Sequence, residues 1–355
     1  MYNINTLPGI KKLEEAVLYR HGGDIYHNDV KYDFSVNTNP LGLPLIVKKK
    51  LVENIDIFGK YPDIQCSQLY KEVSVAESIP GENLLFANGA SEIFKLAVDA
   101  IKPRKALVTA PSFLGYSHVL NGAGTGIEYY YLEEEKNFEL NTDILKKMPA
   151  GCDMVFLCSP CNPTGRIINK EVLLDVLSYC EKNKIYLIVD ECFLGFLPDY
   201  ERLSMKSCIK SNYLIVASAF TKLYAMAGLR LGWCACGNKM LLGKMRQLQP
   251  EWSVSVPAQI AGVYALKDKD YIIRTRKLIV KERLKMTEFL ENKGIKVFPS
   301  DANFLLVKSK VNLYEKLLAK HILIRQCSNF EGLSDEFYRI AIRSSEENKI
   351  FMEML

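Results

Sequence analysis

Short apolar runs recur along the chain and alternate with longer stretches whose apolar residues lie one helical turn apart. One such helical stretch, 169–183, lies between two of the runs. The runs are apolar almost without interruption, which is typical of parallel strands that are buried on both faces. We therefore predict an α/β fold with a mostly parallel sheet covered by helices. The strands are predicted at 84–87, 105–109, 154–158, 186–189 and 213–217.

The pattern changes at about residue 258. A long charged stretch predicts a helix at 269–293, and shorter apolar runs follow it. We therefore predict a large domain at 45–258 and a smaller α+β carboxy-terminal domain at 259–355. Residues 1–44 are rich in Asn, Gly and Pro, and we expect them to form an arm that contributes to the small domain and to the substrate site.

Composition narrows the class of protein. The 355 residues are 48% hydrophobic and 25% charged, and the formal net charge is only +5 with scattered lysines, so we expect no nucleic-acid partner. No apolar run reaches the roughly 18 residues of a membrane helix, and the first residues lack the apolar core of a secretory signal. Ten cysteines without a disulfide pattern fit reduced thiols, so we expect a cytoplasmic protein without a membrane partner.

One pair of cysteines, Cys158 and Cys161, has the CxxC spacing of some metal and redox sites. A zinc site needs a second pair, and Cys234 with Cys236 is too closely spaced. Plain buried thiols are the favoured interpretation, and no metal is expected.

Polar residues follow three of the predicted strands. Asn162 lies in the segment 159–165 after the strand at 154–158, Asp190 directly follows the strand at 186–189, and Lys222 comes shortly after the strand at 213–217. In an open α/β sheet, ligands bind at the carboxyl ends of the strands. Alone, each residue has an ordinary explanation as a turn, a helix cap or a solvated lysine. Together, at three strand ends, they favour one site.

These residue types match the needs of pyridoxal 5′-phosphate. The cofactor forms an imine with a lysine, here Lys222, and needs a carboxylate at its ring nitrogen, here Asp190. Asn162 can donate to the phenolate oxygen, and Arg230 to the phosphate. The segment Gly89-Ala90-Ser91 opens a predicted helix, whose free amides could also hold the phosphate.

The pattern S-P-x-N-P-T-G, D-E, and T-K followed by G-L-R-L-G resembles the fold-type-I pyridoxal-phosphate enzymes of the aminotransferase class I/II family. The resemblance covers nearly the whole chain. It implies a three-layer large domain, a Schiff base on Lys222, a stacking ring at Phe113, and a homodimer in which Tyr61 reaches the neighbouring subunit's cofactor. It also implies phosphate contacts from Thr221, Arg230, Gly89, Ala90 and Ser91. Phe193 and Ala219 depart from the family pattern, where a tyrosine and a serine are common, and each removes about 1 kcal/mol of hydrogen bonding.

Four further segments, including His21-Gly22-Gly23, are similar to one branch of this family, the L-threonine-O-3-phosphate decarboxylases. These enzymes make the aminopropanol phosphate linker of cobalamin. The resemblance implies decarboxylation of L-threonine O-3-phosphate, a small phosphorylated amino acid with about three negative charges. It implies substrate contacts from His21, Asn37, Asn162, Arg325, Arg339 and Arg343.

Other functions stay open at this point. A histidinol-phosphate-type aminotransferase would share the cofactor motifs, as would a non-catalytic regulator that binds pyridoxal phosphate. A nucleotide-binding enzyme is disfavoured because neither GxGxxG nor GxxxxGK occurs. The sequence does not separate threonine phosphate from serine phosphate, because a methyl group changes binding by only about 1–3 kcal/mol.

Overall fold

A computed structural model describes residues 22–355. Among them, no helix is both long and apolar enough to cross a membrane. The helices are α1 (Leu45–Glu53), α2 (Ser67–Glu77), α3 (Ala90–Ile101), α4 (Leu114–Gly122), α5 (Lys170–Asn183), α6 (Tyr200–Leu203), α7 (Phe220–Leu223), α8 (Lys239–Leu248), α9 (Val256–Ala265), α10 (Lys269–Asn292), α11 (Leu313–Leu318) and α12 (Ser345–Met354). The strands are β1 (Tyr32–Asp33), β2 (Leu84–Ala87), β3 (Lys105–Ala110), β4 (Gly126–Tyr131), β5 (Met154–Cys158), β6 (Tyr186–Asp190), β7 (Leu214–Ala219), β8 (Gly232–Ala235), β9 (Lys296–Val297), β10 (Phe304–Lys308), β11 (Ile322–Leu323), β12 (Arg325–Gln326) and β13 (Phe337–Ala341).

Seven strands within 22–355 form the central sheet, in the order β2-β8-β7-β6-β5-β3-β4. The neighbours from β7 to β4 run parallel, and β8 is antiparallel to both β2 and β7. The predicted mostly parallel sheet is confirmed. The register aligns Cys158 with Asp190 and Asp190 with Ala217, so the segments after β5, β6 and β7 begin side by side.

Alternate residues of the central strands lie in two different apolar clusters. Val155 and Leu157 pack in one cluster with α2, α5 and α9, whereas Met154 and Phe156 pack in the other with α3, α4 and α8. The sheet is therefore the middle of three layers. Burial of both of its faces explains why its strands are apolar at nearly every position.

The carboxy-terminal part has its own antiparallel sheet, in the order β12-β13-β10-β9. Its apolar cluster includes Phe304 and Ile340 of the sheet, Ile279 of α10 and Phe351 of α12. The predicted smaller α+β unit is confirmed. Tyr271, near the start of α10, packs in the cluster of the large sheet instead, so this long helix joins the two cores.

The described part of the arm packs on the carboxy-terminal part. β1 pairs in parallel with β11, with Tyr32 opposite Ile322, and Phe34 is fully buried in the small cluster. The arm therefore enters the fold beside strands that lie almost 300 residues later. The exact domain boundaries at 44 and 258 stay predictions.

Candidate active site

One cleft opens at the carboxyl ends of the parallel strands. Asn162 follows β5, Asp190 is the last residue of β6, and Lys222 lies in α7 directly after β7. All three line this cleft. The lining includes most of the other predicted cofactor contacts, namely Ala90, Ser91, Phe113, Thr221 and Arg230. The fold thus brings together segments that are far apart in the sequence, as the strand-end pattern predicts.

Lys222 enters the cleft from a short turn that the arm holds in place. Its carbonyl accepts a hydrogen bond from the backbone N–H of Asn39 at 3.0 Å. Its Nζ lies 5.9 Å from the centre of the Phe193 ring. Burial, and then the positive charge of Arg339, lower the pKa of Lys222 to about 8. More of this amine is therefore neutral and nucleophilic near neutral pH than for a lysine in water.

Asp190 is a buried carboxylate with both oxygens hydrogen-bonded. Oδ1 accepts from the backbone N–H of Cys192 at 2.9 Å, and Oδ2 accepts from the hydroxyl of Tyr116 at 2.6 Å. Burial raises the pKa of Asp190, and these hydrogen bonds oppose that rise. Tyr116 was not among the predicted site residues. It precedes Asp190 by 74 residues, and no motif marks it.

The amino terminus of α3 faces the guanidinium of Arg230. Gly89 precedes this helix with a φ of 78°, and a Cβ there would lie 2.7 Å from Arg230 Nη2. A Cβ at Gly232 would lie 2.4 Å from the carbonyl carbon of Gly89. Glycine at both positions allows this close approach. The guanidinium and the free N–H groups of the first helical turn are both suited to bind a phosphate.

Arg339 links the carboxy-terminal part to the cleft. Its Nη1 donates to Asn162 Oδ1 at 2.5 Å, and its Nη2 donates to the carbonyl of Ser35 at 2.6 Å. Its side chain is buried, and burial lowers its pKa to about 10. Both acceptors are neutral, so the guanidinium keeps its full charge beside the cleft.

Arg325 lies next to Arg339, because β12 and β13 pair the two residues directly. Its Nη1 donates to the carbonyl of Gln326 at 2.8 Å, and its Nη2 donates to Asn329 Oδ1 at 2.7 Å. Arg325 is also buried. Two buried guanidinium groups side by side are costly for the fold, and an anionic ligand offsets that cost.

Two buried polar atoms near these arginines have no hydrogen-bond partner among residues 22–355: Arg339 Nε and Asn37 Oδ1. Asn37 is held through its backbone, whose carbonyl accepts from Asn303 Nδ2 at 3.0 Å. An unpaired buried polar group costs about 1–3 kcal/mol. Arg339 Nε could donate a hydrogen bond to a polar ligand, and Asn37 Oδ1 could accept one from it.

Two predicted site residues of the described part of the chain, Tyr61 and Arg343, have their contacts away from the cleft. The ring of Tyr61 is 79% exposed and packs against Trp252, with the ring centres 4.5 Å apart. Arg343 pairs with Glu347, with 3.1 Å between Nη2 and Oε1. His21 lies outside the described residues. For Tyr61, the predicted role is on the neighbouring subunit, and that role stays a prediction.

The residues of the cleft fit pyridoxal phosphate. They supply an amine with a lowered pKa, a buried carboxylate, an amide, and a cation at a helix amino terminus that glycine keeps open. Phe193 and Ala219 also line the cleft, so the two departures from the family pattern lie where they would remove hydrogen bonds to the cofactor. Enough donors remain to bind it.

Fold and cleft together define a fold-type-I enzyme that depends on pyridoxal phosphate. The chain belongs to the aminotransferase class I and II family, whose family model matches residues 29–355. The three-layer fold implied by the resemblance, and pyridoxal phosphate as the cofactor, are thereby confirmed.

Relatives with two different activities are similar to the whole chain. The threonine-phosphate decarboxylase of Salmonella typhimurium is 33% identical over 348 residues, which is 94% of this chain and 95% of that protein. A putative threonine-phosphate decarboxylase of Caldanaerobacter subterraneus is 34% identical over 354 residues, or 98% of this chain and 95% of that one. The crystal structure of the histidinol-phosphate aminotransferase from Clostridium acetobutylicum has 34% identity and a TM-score of 0.85, and it covers 91% of this chain and 98% of that chain.

Proposed function

We propose that this protein decarboxylates L-threonine O-3-phosphate to (R)-1-amino-2-propanol O-2-phosphate for cobalamin biosynthesis. The observation that carries the proposal is the full-length similarity to two proteins named as threonine-phosphate decarboxylases. A protein of Leptospira interrogans named for adenosylcobalamin biosynthesis is also 32% identical over 94% of this chain.

The large sheet supplies the proposed cofactor contacts. Lys222 binds the cofactor covalently through Nζ, Asp190 keeps the ring nitrogen protonated, and Asn162 donates to the phenolate oxygen. Phe113 stacks on the ring. The phosphate is held by Gly89, Ala90, Ser91, Thr221 and Arg230. When bound, pyridoxal phosphate accepts the electron pair of a bond that breaks at the substrate's Cα.

The arginines beside the cleft supply the proposed substrate contacts. Arg339 and Arg325 are adjacent and buried, and together they can offset most of the charge of a substrate with a carboxylate and a phosphate. Asn37 and His21 complete the set, and Arg343 stays a predicted further contact. A firm hold on the phosphate can turn the carboxylate out of the plane of the cofactor ring, which selects the bond to the carboxylate for cleavage.

Lys222 also handles the proton of this reaction. Loss of carbon dioxide leaves Cα one proton short, and a proton must replace the carboxylate. With its pKa lowered to about 8, Lys222 Nζ can hold that proton near neutral pH and release it to Cα. Protonation of Cα would return Lys222 to its neutral form, and the neutral amine could then bind the cofactor again in place of the product amine, which is released.

We further propose that the protein is a cytoplasmic homodimer. Tyr61 is exposed and contacts the exposed ring of Trp252, and four further exposed apolar side chains lie within six residues of it in the sequence: Ile55, Ile57, Phe58 and Ile64. A region of this kind fits an interface between subunits. In the dimer, Tyr61 would reach the cofactor phosphate of the partner. All ten cysteines are free thiols, which fits a reducing compartment.

A second candidate function is amino transfer on histidinol phosphate. The similarity to the histidinol-phosphate aminotransferase of Clostridium acetobutylicum, at 34% identity, favours it. The two functions share the cofactor contacts and differ in the bond that breaks at Cα.

One experiment separates the two functions. The holoenzyme is incubated with L-threonine O-3-phosphate without any keto acid, and carbon dioxide and 1-amino-2-propanol phosphate are measured. We expect steady release of both products, and none from Lys222→Ala. The absence of release, together with conversion of the cofactor to its pyridoxamine form by histidinol phosphate, would replace the decarboxylase by the aminotransferase. Serine O-phosphate in the same assay measures the contribution of the substrate methyl group.

A further inference from the structure

We propose that Tyr116 is a positioning residue for Asp190, and that its hydroxyl holds this carboxylate as an anion in a fixed orientation toward the cofactor. The inference rests on the proposed role of Asp190 at the ring nitrogen. It assigns a function to a residue of α4 that no motif marks.

The position of the Tyr116 hydroxyl is fixed by the packing of its ring. The residue is fully buried, and its ring stacks on Phe156 with the ring centres 4.9 Å apart and an angle of 19°. Phe94 and Phe113 contact it edge-on, at 5.1 and 5.5 Å between ring centres. A ring enclosed on these sides cannot turn its hydroxyl away from Asp190 without disturbing the core.

The hydroxyl acts as a donor to Asp190. Burial, and then the negative charge of Asp190, raise the pKa of Tyr116 well above its usual range, so its proton stays on the oxygen. The 2.6 Å distance to Asp190 Oδ2 is that of a strong hydrogen bond to a charged acceptor. Cys192 donates its backbone N–H to the other oxygen. Each carboxylate oxygen thus has one fixed donor, which sets the orientation of the group.

Tyr116 is one of a small set of groups that keep Asp190 ionised. The titratable side chains that face it are the thiols of Cys158, Cys161 and Cys192 and the amine of Lys222. After burial, which raises the pKa of Asp190, the hydrogen bond from the Cys192 side chain lowers it most and that from Tyr116 next, and the amine of Lys222 would no longer be free once it binds the cofactor. Without the hydroxyl, the carboxyl group would bind a proton at higher pH.

The experiment compares Tyr116→Phe with the wild type as apoenzymes. The dissociation constant of pyridoxal phosphate is measured by absorbance titration between about pH 5 and pH 9. Tyr271→Phe is the matched control, because this buried tyrosine also donates its hydroxyl at 2.7 Å, but to the carbonyl of Gly42 away from the cleft. Asp190→Asn is the reference for loss of the carboxylate.

We expect Tyr116→Phe to bind the cofactor about tenfold more weakly at pH 7, the effect of one hydrogen bond to a charged group. A higher pKa also means that Asp190 binds a proton earlier as the pH is lowered. The affinity of Tyr116→Phe for the cofactor should therefore begin to decrease at a higher pH than that of the wild type. Ionisation of the cofactor itself is common to all variants and cancels in this comparison. Tyr271→Phe should keep the wild-type affinity and pH profile.

Two results would overturn the proposal for Tyr116: an affinity within twofold of the wild type, or a weaker affinity with an unchanged pH profile. If Asp190→Asn also keeps the wild-type affinity, the proposed role of Asp190 fails, and not only the inference about Tyr116. Thermal unfolding of the two tyrosine variants shows whether the loss of a buried hydroxyl costs them a similar stability.

Discussion

The two walls of the cleft are built in different ways. The cofactor wall consists of Asn162, Asp190 and Lys222, each at the end of a parallel strand, where the sheet register alone brings them together. What we call the substrate wall is the set of proposed substrate contacts beside the cleft, Asn37, Arg325 and Arg339, which come from the arm and from two strands near the carboxyl terminus.

The comparison shows which contacts hold each set of residues in place and how one set affects the other. The cofactor wall depends on a sheet that is buried on both faces. The substrate wall depends on contacts between distant segments, such as the hydrogen bond from Arg339 to the carbonyl of Ser35. Arg339 also donates to Asn162, and its charge lowers the pKa of Lys222. The two walls are therefore built from different parts of the chain, and Arg339 couples them.

The largest expected effect is on the cofactor wall. Lys222→Ala should lower product release by about 10³-fold or more, because it removes both the covalent link to the cofactor and the proton donor. The rate of carbon dioxide release measures this loss. The exposed Lys71→Ala is the control and should keep full activity. Residual activity within tenfold of the wild type would assign the reaction to another amine.

The second effect should fall mainly on the substrate wall. Arg339→Gln should lower kcat/KM by about 100-fold, since charge-assisted hydrogen bonds to the substrate are lost, with a much smaller change in cofactor affinity. Steady-state kinetics and a cofactor titration measure the two quantities. Arg283→Gln is the control, because Arg283 is a partly buried arginine that donates to the carbonyls of Asp301 and Ala302, away from the cleft. An equal loss of both quantities in Arg339→Gln would mean that the walls are not separable.

The effect of Arg339 on Lys222 predicts how the rate of cofactor uptake depends on pH. Because Lys222 binds the cofactor as the neutral amine, the rate at which apoenzyme takes up pyridoxal phosphate should rise about tenfold per pH unit below a pKa of about 8 and level off above it. In Arg339→Gln, loss of the nearby positive charge should raise this pKa, so the plateau moves to higher pH. Stopped-flow absorbance measures the rate, and a plateau that does not move would remove the coupling.

The smallest expected effect concerns the phosphate end of the cofactor wall. Gly89→Ala places a Cβ against Arg230 and should weaken cofactor binding about fivefold. Gly124→Ala is the control, because that glycine also has a positive φ, of 73°, but open space around it. Gly89→Ala should cost about 1–3 kcal/mol of stability, because its φ of 78° and ψ of 169° are almost confined to glycine, and Gly124→Ala should cost about 1 kcal/mol. Equal cofactor affinity in the two variants would show that the contact with Arg230 does not matter.

Much of the cofactor wall could be predicted from the sequence. An apolar run predicts a buried strand, and a polar residue directly after it must lie at the edge of the sheet, so Asn162, Asp190 and Lys222 are found without any tertiary information. Tyr116 is different. Its ring is one of many buried aromatics, and the bond to Asp190 exists only because α4 packs against the sheet in a particular rotation.

By itself, the sequence determined the layered α/β architecture, the cofactor and the residues at the strand ends, because these follow from periodicity and from local chemistry within a few residues. Only the tertiary structure decided which arginine meets the cleft. Arg339 bonds to Asn162, whereas Arg343, four residues later, turns to Glu347 at the start of α12. Such choices depend on strand register and helix packing between segments far apart in the chain, and no local pattern encodes them.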